Sequence, residues 1–196
     1  QHGFFDYKKI TFRNKNKNKN VLFSGSIGLT TGISLVLDAF SELPDYTLHV
    51  TGRPYHMDEK KLVNLIDGKN INKNIIYHGL LNFKDYDSLL YNCDIALSTR
   101  NPDDKEHSFN FPSKIIEYLS NSLIVISTMK YNNFHNEIIN VIDFDKNSLK
   151  EKLISLNDKN TDYNKQYMFN TQIVREYYSD ISLEHKITKL INHEKN

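Results

Sequence analysis

From Val21 onward, short apolar runs of strand length alternate with stretches whose apolar residues recur at helical spacing, and few folds accommodate that alternation. "VLFSGS", "YTLHVTG", "NIIYHGLL", "DIALSTR" and "LIVIST" read as strands, and "NVIDFD" as a sixth. "TTGISLVLDAFSEL" sets Ile33, Val36, Leu37 and Phe40 on one helical face. "MDEKKLVNLIDG" reads as a helix closed by Gly68, and "FKDYDSLLYNC", "SKIIEYLSN" and "SLKEKLISLN" complete the series. Strand–helix alternation at this spacing means βαβ units and a parallel sheet with helices on both faces. The strands are short and apolar because a parallel sheet is buried on both sides. The expected class is α/β: a doubly wound, Rossmann-like parallel sheet over residues 21–158 with C-terminal helices.

Residues 1–20 precede this pattern, and their polar run "NKNKNKN" reads as a solvated loop. Residues 159–196 are helical in pattern, with a break near Ser179–Asp180. Ile173, Tyr177 and Tyr178 form one apolar face there, and Leu183, Ile187, Leu190 and Ile191 another. Those faces either pack on the sheet or reach toward a domain outside the chain.

The apolar share of 39% supports a core, and the net charge of +1 gives no reason to expect nucleic acid. Cys93 is the single cysteine, so no intramolecular disulfide can form, and a reducing, cytoplasmic setting fits. No apolar run is long enough to cross a bilayer, and no signal peptide opens the chain. The first residue is Gln1, so the chain is expected to be part of a longer protein.

Ligands of doubly wound sheets sit beyond the carboxyl ends of the strands, which directs attention to residues 25–32, 52–56, 78–82, 98–113 and 127–135. "SGSIGLTTG" could let the backbone approach an anion, but it is neither a Walker loop nor a GxGxxG turn, and a simple tight turn explains it equally. "FNFPSKIIEY" carries more. Pro112 suits a first helical turn, and Asn110 or Ser113 could cap it. Lys114 with free N–H groups would hold a phosphate or diphosphate. Glu117 lies off the face of Ile115, Ile116 and Leu119 and could accept hydrogen bonds from two vicinal hydroxyls, such as those of ribose. The alternative is that Lys114 and Glu117 are surface charges three apart on one helix.

The ordered set "LFSGSIGLTTGISLVLDAF … LHVTGR … IIYHGLLNFKDYDSLLYNCDIALSTR … FPSKIIEYLSNSLIVIST" resembles the donor-binding C-terminal half of GT-B glycosyltransferases, over roughly residues 18–145. It looks most like the retaining enzymes of family 4 that carry a "PSK…EY" helix. The resemblance implies a nucleotide-sugar along the strand ends and Glu117 on its ribose. Asn110, Phe111, Pro112, Ser113 and Lys114 would face the diphosphate and sugar, Gly25 and Ser26 would border the phosphates, and His78, Gly79 and Leu80 would lie near the base. It makes residues 1–20 a connector from a preceding acceptor-binding half, through which an acceptor glycan or glycolipid, and any peripheral contact with a membrane, would be engaged. It implies no metal and no cofactor beyond the nucleoside diphosphate sugar itself.

Three positions depart from the family pattern. Ser26 and Thr31 stand where the family carries an Arg and a Lys, and Phe109 stands eight places before Glu117 where an acid is usual. Asp104 or Glu106, from the long loop 101–110, could fill the acid's place, or no acid fills it. Leaving-group charge would then fall to Lys114 and Arg100 as the catalytic pair, with Arg53 beside them and Thr31 kept in the donor-binding set. The implied activity is sugar transfer with retention, in surface polysaccharide or glycolipid synthesis. The alternative is a non-catalytic nucleotide-binding or interaction module of the same fold. A receiver-like signalling domain is disfavoured, because "SGS" and "HGL" stand where its acids would be.

Overall fold

The computed structural model describes residues 6, 19–104, 113–132, 134–157 and 162–193. Six strands form one wholly parallel sheet in the order β3-β2-β1-β4-β5-β6. They are β1 (Asn20–Ile27), β2 (Thr47–Pro54), β3 (Ile75–Tyr77), β4 (Ile95–Ser98), β5 (Ile124–Ser127) and β6 (Asn140–Val141). The helices are α1 (Ile33–Phe40), α2 (Glu59–Lys69), α3 (Phe83–Asn92), α4 (Ser113–Ser120), α5 (Lys146–Leu156), α6 (Tyr163–Tyr178) and α7 (Asp180–His193). The strand order reverses between β1 and β4, which opens a crevice at their carboxyl ends.

Alternating side chains feed two cores. Val21 and Phe23 of β1 join Leu37, Leu48, Leu62 and Leu153, so α1, α2 and α5 cover one face. Leu22 joins Leu90, Ala96, Ile116, Leu119 and Val125, so α3 and α4 cover the other. Asp58, Asn82 and Asp145 cap α2, α3 and α5 by accepting from backbone N–H groups of the first turn. α6 belongs to both cores: Tyr163 and Tyr167 enter the first, Val174 and Tyr178 the second. Tyr167 lies close enough to Asp94, which directly precedes β4, for that carboxylate to add to burial in raising the Tyr167 pKa. The first turns of α6 thus lie by the amino end of β4, and its last turn packs on Phe134 and His135 in the segment after β5.

Four expectations are corrected. Gly25 and Ser26 do not follow β1 but lie inside it, paired with Gly52 and Arg53 of β2. Glycines on both strands let the backbones stay paired where a turn was expected. Gly68 does not close α2: the helix runs to Lys69 and Asn70 caps it. β3 stops at Tyr77, because Gly79 takes a left-handed conformation (φ 63°) and turns the chain. "NVIDFD" contributes only Asn140 and Val141. At the C-terminus the break falls as expected, with α6 ending at Tyr178 and Ser179 as its cap. On α7, however, Ile187 and Ile191 are exposed rather than packed. No helix among the described residues is long and apolar enough to cross a membrane.

Asn74 joins α1 to the sheet. Its buried Nδ2 donates toward the carbonyls of Phe40, Leu43 and Tyr46 at 3.2, 2.9 and 2.9 Å. Two N–H groups serve three acceptors, so one bond is shared. Asn74→Ala would leave these carbonyls without that donor, at a cost of about 1–2 kcal/mol read from chemical denaturation.

On the second face, His49 Nδ1 and His78 Nε2 of β2 and the segment after β3 lie 3.0 Å apart, with the rings stacked. Burial, then His78, lowers the His49 pKa from 6.5 to about 4. The unfolded chain therefore binds a proton at His49 as pH falls through 6.5, which the folded chain refuses until about pH 4. Stability at this site declines across that window and levels off below it. A His49→Gln variant should flatten the decline in urea midpoint between pH 6.5 and pH 4. The exposed Glu42, held down to about 2 by Lys146 and Lys150, loses its contribution only below its ordinary 4.5.

Candidate functional site

Two adjoining clefts open at the carboxyl ends of β1, β2 and β4. The first, about 370 Å³, is walled by Ser24, Gly25, Ser26, Thr51, Gly52, Arg53, Leu80, Leu81, Phe83, Tyr86 and Lys114. The second, about 230 Å³, is walled by Phe23, Ser24, Gly25, Ser26, Thr31, Leu97, Ser98, Thr99, Arg100, Lys114 and Tyr118. Ser24, Gly25, Ser26 and Lys114 belong to both, so they form the ridge between them.

Glycine makes this ridge low. Gly25 and Gly52 face each other across β1 and β2, both at positive φ (117° and 138°). A Cβ on Gly52 would stand 1.9 Å from the Gly25 carbonyl oxygen. A Cβ on Gly25 would stand 3.9 Å from Lys114 Cε, so the lysine stem passes directly over bare backbone.

The Lys114 ammonium is held by Glu117 and Tyr86. It donates to Glu117 Oε2 at 2.6 Å and to the Tyr86 hydroxyl at 2.9 Å, and it lies 4.6 Å from the centre of the Tyr86 ring. Tyr86 donates in turn to Glu117 Oε2 at 3.1 Å. Ser24 Oγ lies 3.0 Å from the Tyr86 hydroxyl and 2.9 Å from that of Tyr118. Burial first, and Glu117 after it, pushes the Tyr86 pKa far up, so Tyr86 stays a neutral donor. The Glu117 side chain is 25% exposed: it faces α3 and its lysine rather than bulk water.

The other expected site residues distribute unevenly. Arg53 and Leu80 line the first cleft, and Arg100 the second. Arg100 has its backbone fixed by Thr128, whose hydroxyl accepts from the Arg100 N–H and donates to its carbonyl. Thr31 lines the second cleft, but its hydroxyl is bonded to both the N–H and the carbonyl of Gly28, which closes the turn into α1. His78 lines neither cleft and turns its ring to His49. The Gly79 carbonyl already accepts from Gly52 N–H and Thr51 Oγ1. Ser113 is the first described residue of α4, and the residues that precede it lie outside the described ones. Asn110, Phe111 and Pro112, with Glu106, His107 and Phe109, lie outside the described residues, as does the connector assigned to residues 1–20 apart from Asp6, Lys19 and Asn20.

Sequence reasoning missed Ser24, Phe83, Tyr86 and Tyr118. Tyr86 falls at helical spacing with the buried Leu89 and Leu90, a pattern that marks it as inward-facing but not as a partner of Glu117. Phe83 is 85% exposed at the mouth of the first cleft, and its apolar neighbours Leu80 and Leu81 give that cleft a hydrophobic wall. Among the described residues, no group of three His, Cys, Asp or Glu side chains is placed to hold a metal ion.

The fold is shared with solved glycosyltransferases. The C-terminal domain of the glycosyl transferase group 1 family protein LpcC from Francisella tularensis superposes with a TM-score of 0.70 at 17% identity, covering 90% of this chain and 99% of that one. HepE from Anabaena, solved with UDP and glucose, gives 0.72 at 13% identity over 97% of this chain and 55% of its own. The sucrose-phosphate synthase of Thermosynechococcus elongatus gives 0.71 at 13% over 97% and 51%. The chain therefore spans about half the length of the latter two. No curated protein sequence matches it. The architecture is that of a GT-B C-terminal domain. With the strand order, the crevice and the α4 helix in place, the sequence pattern of the family described as Glycosyl transferases group 1 matches residues 6–167, and the chain belongs to that family.

Proposed function

We propose that this chain binds the nucleoside diphosphate sugar of a GT-B glycosyltransferase and that the longer protein moves the sugar to an acceptor hydroxyl with retention, in surface polysaccharide or glycolipid synthesis at the cytoplasmic side. The observation that carries the reading is the position of Lys114, a cation over bare glycine backbone at the junction of two clefts. The first cleft, with Leu80, Leu81 and Phe83, suits a planar base and its ribose. The second, with Ser98, Thr99 and Arg100, suits phosphate and sugar hydroxyls. A diphosphate would bridge the ridge under Lys114. The solved structure of the similar HepE holds UDP and glucose, which supports the same ligand class here.

In the reaction, the bond from the anomeric carbon to the donor phosphate breaks while the acceptor oxygen bonds that carbon on the same face. The acceptor proton passes to the departing phosphate oxygen, and a nucleoside diphosphate leaves. Charge grows on that phosphate, and Lys114, Arg100 and the N–H groups of α4 are the groups of this chain that would stabilise it. Donor and acceptor are the two reactants, and the proposal needs no further cofactor.

The second reading, a binding module without transfer, draws on Ser26 and on the closed Thr31 hydroxyl, since neither supplies the charge usual at those places. Calorimetric titration with UDP, GDP, ADP and their sugars tests the donor site, with Glu117→Ala as the weakened control. Binding by none of them would overturn the assignment. Tight binding by one, without sugar release to any acceptor in the full-length protein, would favour the second reading.

A further inference from the structure

The Lys114–Glu117 contact raises a question that the donor-site reading leaves open. The cation suited to a diphosphate and the carboxylate suited to a pentose diol are bonded to each other at 2.6 Å. Each is the other's partner, with Lys114 on the wall of both clefts and Glu117 behind it. Neither contact is left to chance, because Tyr86 bonds both and is itself fixed through Ser24 to Tyr118, a fully buried side chain of α4. The single Tyr86 O–H donates to Glu117, which leaves Ser24 Oγ to donate to the Tyr86 oxygen, while the Tyr118 hydroxyl donates toward Ser24, its carbonyl included at 3.3 Å. Lys114 donates to the Tyr86 oxygen and to Glu117.

We propose that Tyr86 and Glu117 hold Lys114 in a closed ion pair that opens fully only for a ligand carrying a vicinal diol and a diphosphate on the same molecule, which makes Tyr86 a positioning residue and the pair a specificity device of the cleft. This rests on the donor-site reading. A diol donating two hydrogen bonds to Glu117 replaces the ammonium there, and a phosphate in reach accepts the ammonium as it leaves. A bare phosphate must pull Lys114 away from the carboxylate and from Tyr86 with nothing to satisfy Glu117 in return. A nucleoside without phosphates must displace a charge that then has no anion to meet. Ligand halves bind poorly alone and well together, so free phosphate or pyrophosphate competes about tenfold less well for the cleft than it would without the pair.

The test uses inorganic pyrophosphate as the probe in calorimetry. Glu117→Gln removes the carboxylate but keeps the shape, and should bind pyrophosphate about tenfold more tightly than the wild-type chain because Lys114 is released. Tyr86→Phe changes no charge and should tighten it about threefold. These are gains, which a damaged fold would not produce. In a Lys114→Met background, Glu117→Gln should change pyrophosphate affinity by no more than about twofold, since the effect runs through Lys114. Unchanged or weaker pyrophosphate binding by Glu117→Gln overturns the proposal. So does the same gain without Lys114, which would mean simple relief of charge repulsion. Both results leave the donor site standing if the wild-type chain binds a nucleoside diphosphate. If it binds none, the donor reading fails and the diol half of this proposal fails with it, whatever pyrophosphate does.

Discussion

Lys114→Met should weaken the binding of whichever nucleoside diphosphate the chain prefers by about 30- to 100-fold. The substitution removes charge-assisted hydrogen bonds to phosphate, worth about 2–3 kcal/mol in a partly enclosed site. The loss sits at the upper end because the positions that would share the load are uncharged: Ser26 lies on the same ridge, and the Thr31 hydroxyl is closed into its turn. Arg53 and Arg100 each line only one cleft, while Lys114 borders both. Transfer by the full-length protein should fall further than binding, since the phosphate carries more charge in the transition state than in the donor. Thermal stability should change little. Methionine keeps most of the apolar stem over Gly25, and Glu117 retains its bond from Tyr86. Calorimetry beside a melting curve checks both halves, and affinity within about threefold of the wild-type value would remove Lys114 from the site.

Gly52→Ala should be the most damaging single methyl in the chain's described glycines. Its Cβ would meet the Gly25 oxygen at 1.9 Å and the Gly25 carbon and nitrogen at 2.8 and 2.9 Å, all of them backbone atoms of a central strand. No side chain can rotate away, so β1 and β2 must part where the cleft is built. The φ of 138° adds strain that an L residue rarely bears. Together these effects should cost about 3 kcal/mol or more, a fall in Tm of about 6–12 °C for a chain this size. The same change at Gly68 should act in the opposite direction. That residue is inside α2 with nothing within 4 Å of the added Cβ, and alanine there should stabilise by about 0.5–1 kcal/mol. Differential scanning calorimetry of the two variants would separate a demand for bare backbone from a general intolerance of alanine, and a Gly52→Ala midpoint equal to wild type would refute the former.

Most of the architecture could be read from periodicity, because parallel strands buried on both faces and amphipathic helices leave different spacings in the sequence. The errors have physical causes. Gly25 looks like a turn residue on its own, and only its pairing with Gly52, which lies 27 residues further along the chain, keeps it in the sheet. Gly68 looks like a stop, yet a glycine in an open helix position costs too little to end one that Asn70 caps. The Lys114–Glu117 spacing marked an ion pair in sequence. That Lys114 borders two clefts, with Glu117 bonded behind it, depends on α4 packing beside the end of β1, which no local pattern encodes. Tyr86 illustrates the same limit. Its inward direction was readable from Leu89 and Leu90, but its partners arrive from β1 and α4.

The seating of α6 in both cores has a consequence for how the molecule comes apart. One rod is seated in both greasy layers, so loosening either pulls on a shared clamp. Denaturation should therefore follow a single sigmoid in fluorescence and in circular dichroism, and a chain cut before Tyr163 should lose order on the two sides at once while the residues of both clefts are still chemically intact.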